Sequence, residues 1–122
     1  MKLYQYPKCS TCRKAIKLLN EQGIEFKSID ITEKPPAKTE LKAMLASYDG
    51  DIRKLFNTSG VQYRELKMKD KLPTMTAKQA IDLLAENGKL IKRPFLLNSD
   101  KQGIVGFKEN DWLSFLKTSS KG

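Results

Sequence analysis

The chain predicts an α/β fold: a four-stranded mixed sheet made of a βαβ half and a ββα half, with a helical insertion between them. Two observations carry this. A strand, helix, strand pattern fills the first quarter of the chain. Near the other end, two apolar runs joined by a short polar segment lead into a last helical pattern.

Lys2 to Tyr6 (KLYQY) reads as a short strand stopped by Pro7. From about Ser10 to Gln22, Cys12, Ala15, Ile16 and Leu19 recur at i, i+3, i+4 and i+7, the spacing of one helix face. Ser10 or Thr11 is expected to cap this helix, and Gly23 stands where a left-handed residue would end it. Ile24 to Ile31 (IEFKSIDI) alternates as a second strand. Strand, helix, strand in that order implies parallel strands and a right-handed crossover.

The middle of the chain is helical and poor in strands. Pro35-Pro36 leads into a helix from about Ala37 to Ser47, ending before Asp49-Gly50. Short helices are expected over Asp51 to Phe56 and Val61 to Leu66, around the turn Asn57-Thr58-Ser59-Gly60. Thr76 caps a clearer helix, Ala77 to Asn87, with Ala80, Ile81, Leu83 and Leu84 on its apolar face and Gly88 at its end. Pro94 to Asn98 and Gly103 to Phe107 form an expected antiparallel hairpin. The last helix spans about Asn110 to Lys117, capped by Asn110 and burying Trp112, Leu113, Phe115 and Leu116; the polar tail Thr118 to Gly122 is expected to fray. This order is the thioredoxin-like arrangement. Residues 1–122 fit one domain and one core, with the helical insertion over about 37–90.

Composition narrows the class. Apolar residues make up 39% and charged residues 30%, as in an ordinary globular protein. No apolar run approaches the ~20 residues that cross a bilayer. The N-terminus has no apolar segment of the secretory kind, so a cytoplasmic location is expected, with no membrane association. The net charge of +9 is mostly lysine spread along the chain; the arginines are Arg13, Arg53, Arg64 and Arg93. Such a spread reads as a solvated surface, without the clustered arginines of a nucleic-acid reader. Attraction to an acidic protein surface remains compatible with it.

The two cysteines, in Cys9-Ser10-Thr11-Cys12, lie at the junction of the first strand and first helix. A disulfide there would close a very small loop and add little stability, so the spacing points to chemistry. Free N–H groups and the dipole at a helix N-terminus favour an anion and lower a thiol's pKa. Cys9, before the helix, is expected to be the exposed nucleophile. Cys12, one turn later, is expected to face inward and resolve a mixed disulfide on Cys9. Lys8, Arg13 and Lys14 add positive charge, and Ser10, Thr11, Arg13 and Pro94 are candidates for positioning a substrate. A structural zinc site wants four ligands, and two cysteines without histidine do not supply them. Arg93-Pro94 is the second element. A cis peptide before Pro94 would bring the backbone of residue 93 close to the dithiol, where Arg93 would meet an oxyanion or carboxylate. A plain strand-starting proline beside a surface arginine is the alternative.

Three segments, YPKCSTCRKA, FNTSGVQYREL and LIKRPFLL…GIVGFKENDW, resemble the ArsC/Spx family over nearly the whole chain. The resemblance implies a thioredoxin-like fold, with the catalytic cysteine at Cys9, the arginine before the proline at Arg93, and the regulators' second cysteine at Cys12. It implies no bound cofactor and an external thiol as electron donor: a glutaredoxin, a thioredoxin or a low-molecular-weight thiol. The two further arginines of the family's arsenate reductases fall near Asn57 and Phe107, neither of which binds an oxyanion as arginine does. Asp49-Gly50 resembles the site by which the family's regulators touch the RNA polymerase α subunit, although a glycine after a helix also has backbone reasons. The expected function is that of a thiol–disulfide oxidoreductase of arsenate-reductase type, working as a monomer. The alternative is a redox-sensing regulator that binds RNA polymerase.

Overall fold

The computed structural model describes residues 1–119 of the chain; Ser120 to Gly122, part of the tail expected to fray, lie outside the described residues. Strand β1 (Lys2–Gln5) is central in the sheet order β2-β1-β3-β4. It pairs in parallel with β2 (Lys27–Asp30) and antiparallel with β3 (Phe95–Leu97), which pairs antiparallel with β4 (Gly103–Val105). The strands are shorter than the apolar runs suggested. β2 pairs only along β1, from Lys2↔Lys27 to Gln5↔Asp30, so Ile24 to Phe26 have no strand beside them. β4 stops at Val105 because Gly106 turns the chain at φ +69°. Tyr6 lies just outside β1, held in a turn over Pro7 and Lys8 by a bond from the Cys9 N–H to its carbonyl, 3.0 Å.

Consecutive residues of the central strands are buried because helices cover both faces of the sheet. Leu3 and Leu96 face Ala15, Leu18 and Leu19 of α1 (Ser10–Glu21) and Trp112 and Leu116 of α6 (Glu109–Ser119). Tyr4, Phe95 and Leu97 face Leu41 and Met44 of α2 (Lys38–Ser47) and Ala80, Ile81 and Leu84 of α5 (Ala77–Glu86). The short helices α3 (Val61–Glu65) and α4 (Met68–Lys71) extend this second layer through Tyr63 and Met68. The segment Ile52–Leu55 winds as a 3₁₀ turn, and Met68–Lys71, which has no apolar periodicity of its own, is a helix that sequence reading missed.

The helix ends show where local rules held. α1 closes with Gly23 at φ +66°, its N–H bonded to the Asn20 carbonyl and that of Ile24 to the Leu19 carbonyl, the paired bonds of a left-handed stop. α2 ends the same way, with Asp49 at φ 56° and the Gly50 N–H on the Leu45 carbonyl. Gly88 has a different reason. Its backbone is not left-handed, but a Cβ there would overlap the Ile31 carbonyl, so close packing against the end of β2 demands glycine. α6 begins at Glu109, placing Asn110 inside the helix instead of at its cap, and runs on through Thr118 to Ser119. That frame leaves Leu113 37% exposed while Trp112 is fully buried and bonds the Gly106 carbonyl at 2.7 Å.

Candidate active site

The expected hydroxyl cap of α1 is absent: the cap is Cys9. It has extended backbone (φ −94°, ψ 115°), and its Sγ accepts the Cys12 N–H at 3.4 Å. The residue that caps is thus the one expected from the sequence to be the nucleophile. One turn on, Cys12 is fully buried, while Cys9 is partly exposed. Both are free thiols. A reagent in solvent meets Cys9 first, with Cys12 behind it.

The two sulfurs are driven in opposite directions. Partial burial of Cys9 works against its anion. A hydrogen bond from the Cys12 thiol, the backbone N–H groups of Cys12 and Thr11, and the charge of Arg93 outweigh it, and the pKa falls below the ordinary value. Burial pushes the Cys12 thiol up to about 12. The neighbouring Cys9 sulfur adds to this, and the Tyr6 backbone N–H and Arg93 reduce it without reversing it. The two sulfurs thus differ: the anion is favoured on Cys9, and Cys12 holds its proton.

Arg93 comes from the segment just before β3, the strand beside β1, across a cis peptide to buried Pro94. Its guanidinium carbon lies 4.9 Å from the centroid of the Tyr6 ring. Its Nη1 is buried and has no hydrogen-bond partner. The charge of Arg93 reaches both sulfurs and also Asp30 at the end of β2, whose carboxylate is held by the Thr32 N–H (2.9 Å) and hydroxyl (2.7 Å). Sequence reading missed Tyr6 and Asp30. The only signal was an aromatic residue directly before Pro7, where a strand was expected to end.

The family-model comparison matches the description "ArsC family" over residues 4–115. The chain belongs to the ArsC family. It is 49% identical to the uncharacterised protein YusI of Bacillus subtilis over 109 residues, 89% of this chain and 92% of that one. It is 33% identical to the global transcriptional regulator Spx of Enterococcus faecalis over 114 residues, 93% of this chain and 84% of that one. Among solved structures, an ArsC-family-related protein from Bacteroides fragilis superposes with a TM-score of 0.85 at 47% identity, covering 93% of this chain and 94% of that one. A candidate arsenate reductase from Streptococcus mutans gives 0.83 at 38% identity, covering 91% and 95%. Sheet order and comparisons agree on the thioredoxin-like fold of this family.

Within this ArsC-family frame, the remaining expected residues separate. Ser10 opens α1 and is exposed; Thr11 contributes its backbone N–H to Cys9. Arg13 turns away from the sulfurs, giving Nε and Nη2 to the Pro7 carbonyl at 3.3 Å each, so it braces the loop before Cys9. Asn57 bonds the Leu90 carbonyl through its backbone N–H, and Phe107 stacks edge-on against Trp112 at 5.3 Å, so neither brings a cation to the sulfurs. Asp49 and Gly50 are exposed beside β4, where the preceding Tyr48 hydroxyl accepts the Val105 N–H at 2.9 Å. They lie two strands away from the dithiol. A groove of about 640 Å³ is also apart: Phe107, Trp112, Lys54 and Lys92 line it, and no cysteine does. Among the described residues no three acidic, cysteine or histidine side chains converge to hold a metal, and no helix is long and apolar enough to cross a membrane.

Proposed function

We propose that this ArsC-family chain is a cytoplasmic thiol–disulfide oxidoreductase, with Cys9 as nucleophile, Cys12 as resolving thiol and Arg93 as anion-binding residue. One observation carries the reading: the Cys9 sulfur caps α1 through the Cys12 N–H, directly over a buried second thiol. In the first step the Cys9 thiolate attacks one sulfur of a substrate disulfide. The substrate S–S bond breaks, and the departing thiolate takes a proton from water. Once Cys9 is in a mixed disulfide its charge is gone, which removes one of the influences that hold the proton on Cys12. Cys12 then loses that proton to water and attacks the Cys9 sulfur, releasing the second substrate thiol. The substrate gains two electrons and the dithiol becomes a disulfide. An external thiol, such as a glutaredoxin, a thioredoxin or a low-molecular-weight thiol, returns it to the dithiol; no bound cofactor is needed.

A disulfide suits the site better than arsenate does. Arsenate asks for several cations around one anion, and Arg93 is the single arginine whose charge reaches the sulfurs. The test is alkylation of Cys9 in the Cys12→Ser chain and in the native chain as a function of pH. The native midpoint should lie clearly below that of a free cysteine. A midpoint at or above that value would remove the basis of the mechanism.

A second reading is favoured by the likeness to Spx over 93% of the chain and by the exposed Asp49-Gly50 corner. Here the dithiol senses oxidants, and the chain binds the α subunit of RNA polymerase without reading DNA. Capture of the isolated α C-terminal domain by the reduced or the oxidised chain supports it; binding in neither state excludes it.

A further inference from the structure

Arg93 is a long, flexible side chain, yet the two-electron chemistry above needs its charge at a fixed place. Among the described residues no carboxylate forms an ion pair with it, and its Nη1 is buried without a hydrogen bond. A buried unpartnered donor is uncommon in a native fold and is satisfied when a ligand supplies an acceptor. What holds the guanidinium is Tyr6, 4.9 Å from ring centroid to Cζ, within the range of a cation–π contact. The same residue touches both sulfur-bearing residues through its backbone. Its carbonyl accepts the Cys9 N–H at 3.0 Å, and its N–H supports the Cys12 sulfur. Tyr6 therefore joins three parts of the site that arrive from separate elements: the cap of α1, its first turn, and the segment before β3.

We infer that Tyr6 is a positioning residue that fixes the Arg93 guanidinium beside the dithiol, and that the pair selects disulfides carrying a carboxylate near the S–S bond. The inference rests on the oxidoreductase reading and adds its substrate class. A carboxylate that accepts from Arg93 Nη1 satisfies a buried donor that has no partner among the described residues, and a planar guanidinium matches it in shape. A neutral disulfide gains nothing from that contact. The tyrosine ring, and not its hydroxyl, does the holding, so phenylalanine should replace it.

The experiment compares the rate of the reduced chain with two disulfide probes, dianionic dithiobis(nitrobenzoate) and neutral dithiodipyridine. Their ratio cancels any change in the thiolate fraction of Cys9. Tyr6→Leu should lower the anionic-to-neutral ratio about two- to fivefold, the range a cation–π contact of this exposure corresponds to. Tyr6→Phe should keep the native ratio. In an Arg93→Gln chain the ratio should already be low, and adding Tyr6→Leu should not change it further. An equal fall in both backgrounds, or an unmoved ratio in Tyr6→Leu, overturns the inference. A chain that reacts with neither probe would instead overturn the oxidoreductase reading. The stacking has its own readout: the Arg93 Nε–H resonance should be shifted upfield by the ring, return toward the free value in Tyr6→Leu and stay shifted in Tyr6→Phe. An unshifted resonance in the native chain refutes the contact whatever the rates.

Discussion

Two helices in this molecule begin in the same way with different chemistry. α5 is capped by Thr76, whose hydroxyl accepts the Gln79 N–H at 3.1 Å while the Gln79 side chain returns a bond to the Thr76 N–H at 2.9 Å. α1 is capped by Cys9, whose sulfur accepts the Cys12 N–H at the longer 3.4 Å, with no bond in return. Both cap residues have extended backbone and both satisfy an N–H three residues on. The hydroxyl closes a reciprocal box and serves stability. The sulfur is a weaker acceptor, and what it gains is a place where its own negative charge is favoured. The comparison teaches that a helix N-terminus is a single device with two uses, chosen by one side chain.

The largest effect should come from exchanging one use for the other. Cys9→Ser puts a favoured capping residue on α1 and removes the nucleophile. Disulfide exchange should vanish while the circular dichroism stays native. Cys12→Ser should still attack but stop at the mixed disulfide, visible by mass spectrometry as a stable adduct on Cys9. Turnover retained by the Cys9→Ser chain would break the comparison, because the cap sulfur would then not be the reacting one.

A second measurement weighs the caps directly. Thr76→Ala should cost about 1 kcal/mol in denaturant unfolding, since a hydroxyl cap and its box are lost. Cys9→Ala, measured at a pH below the folded pKa of Cys9, should cost clearly less than that. Equal losses would show that sulfur caps as strongly as oxygen here, and the idea of a weak cap kept for its reactivity would fail.

The same contrast explains what the sequence could disclose. Caps, stops and turns are local, so the left-handed Gly23, the Thr76 box and the strand-to-helix position of the dithiol could be read from neighbours in the chain. The sheet order followed from the βαβ and hairpin patterns. Illegible were the facts set by distant partners. β2 is as short as the strand beside it, and Gly88 is required by the Ile31 carbonyl 57 positions earlier in the numbering. Met68–Lys71 is helical although it has no amphipathic period. At the site, Cys9, Cys12 and Arg93 were marked by residue type, whereas Tyr6 is an ordinary aromatic until Arg93 is seen over its ring. Arg13 is the opposite case: it is close to the sulfurs in sequence, and only the structure shows that its Nε and Nη2 go to the Pro7 carbonyl.

The smallest effect sharpens the comparison by pH, since a hydroxyl cap has no charge to gain. Cys9 has a folded pKa below its ordinary value near 9, so between those two values the folded chain has released a proton that the unfolded chain still holds. Stability from Cys9 must then rise with pH across that window, be complete above about 9, and be lost as pH falls through the folded value. Cys12 runs the other way. Its folded thiol keeps its proton up to about 12 while the unfolded one releases it near 9, so its contribution is whole below 9 and declines between 9 and 12. The native chain minus Cys9→Ser, unfolded in denaturant with a non-thiol reductant, should therefore gain stability as pH rises from the folded pKa of Cys9 to about 9 and level off. The native chain minus Cys12→Ser should be flat below 9 and fall above it. Thr76→Ala should shift stability by the same amount at every pH. If the native and Cys9→Ser curves ran parallel, α1 would be capped by a sulfur that never uses the charge its helix favours, and the two helix starts would differ in atom type alone.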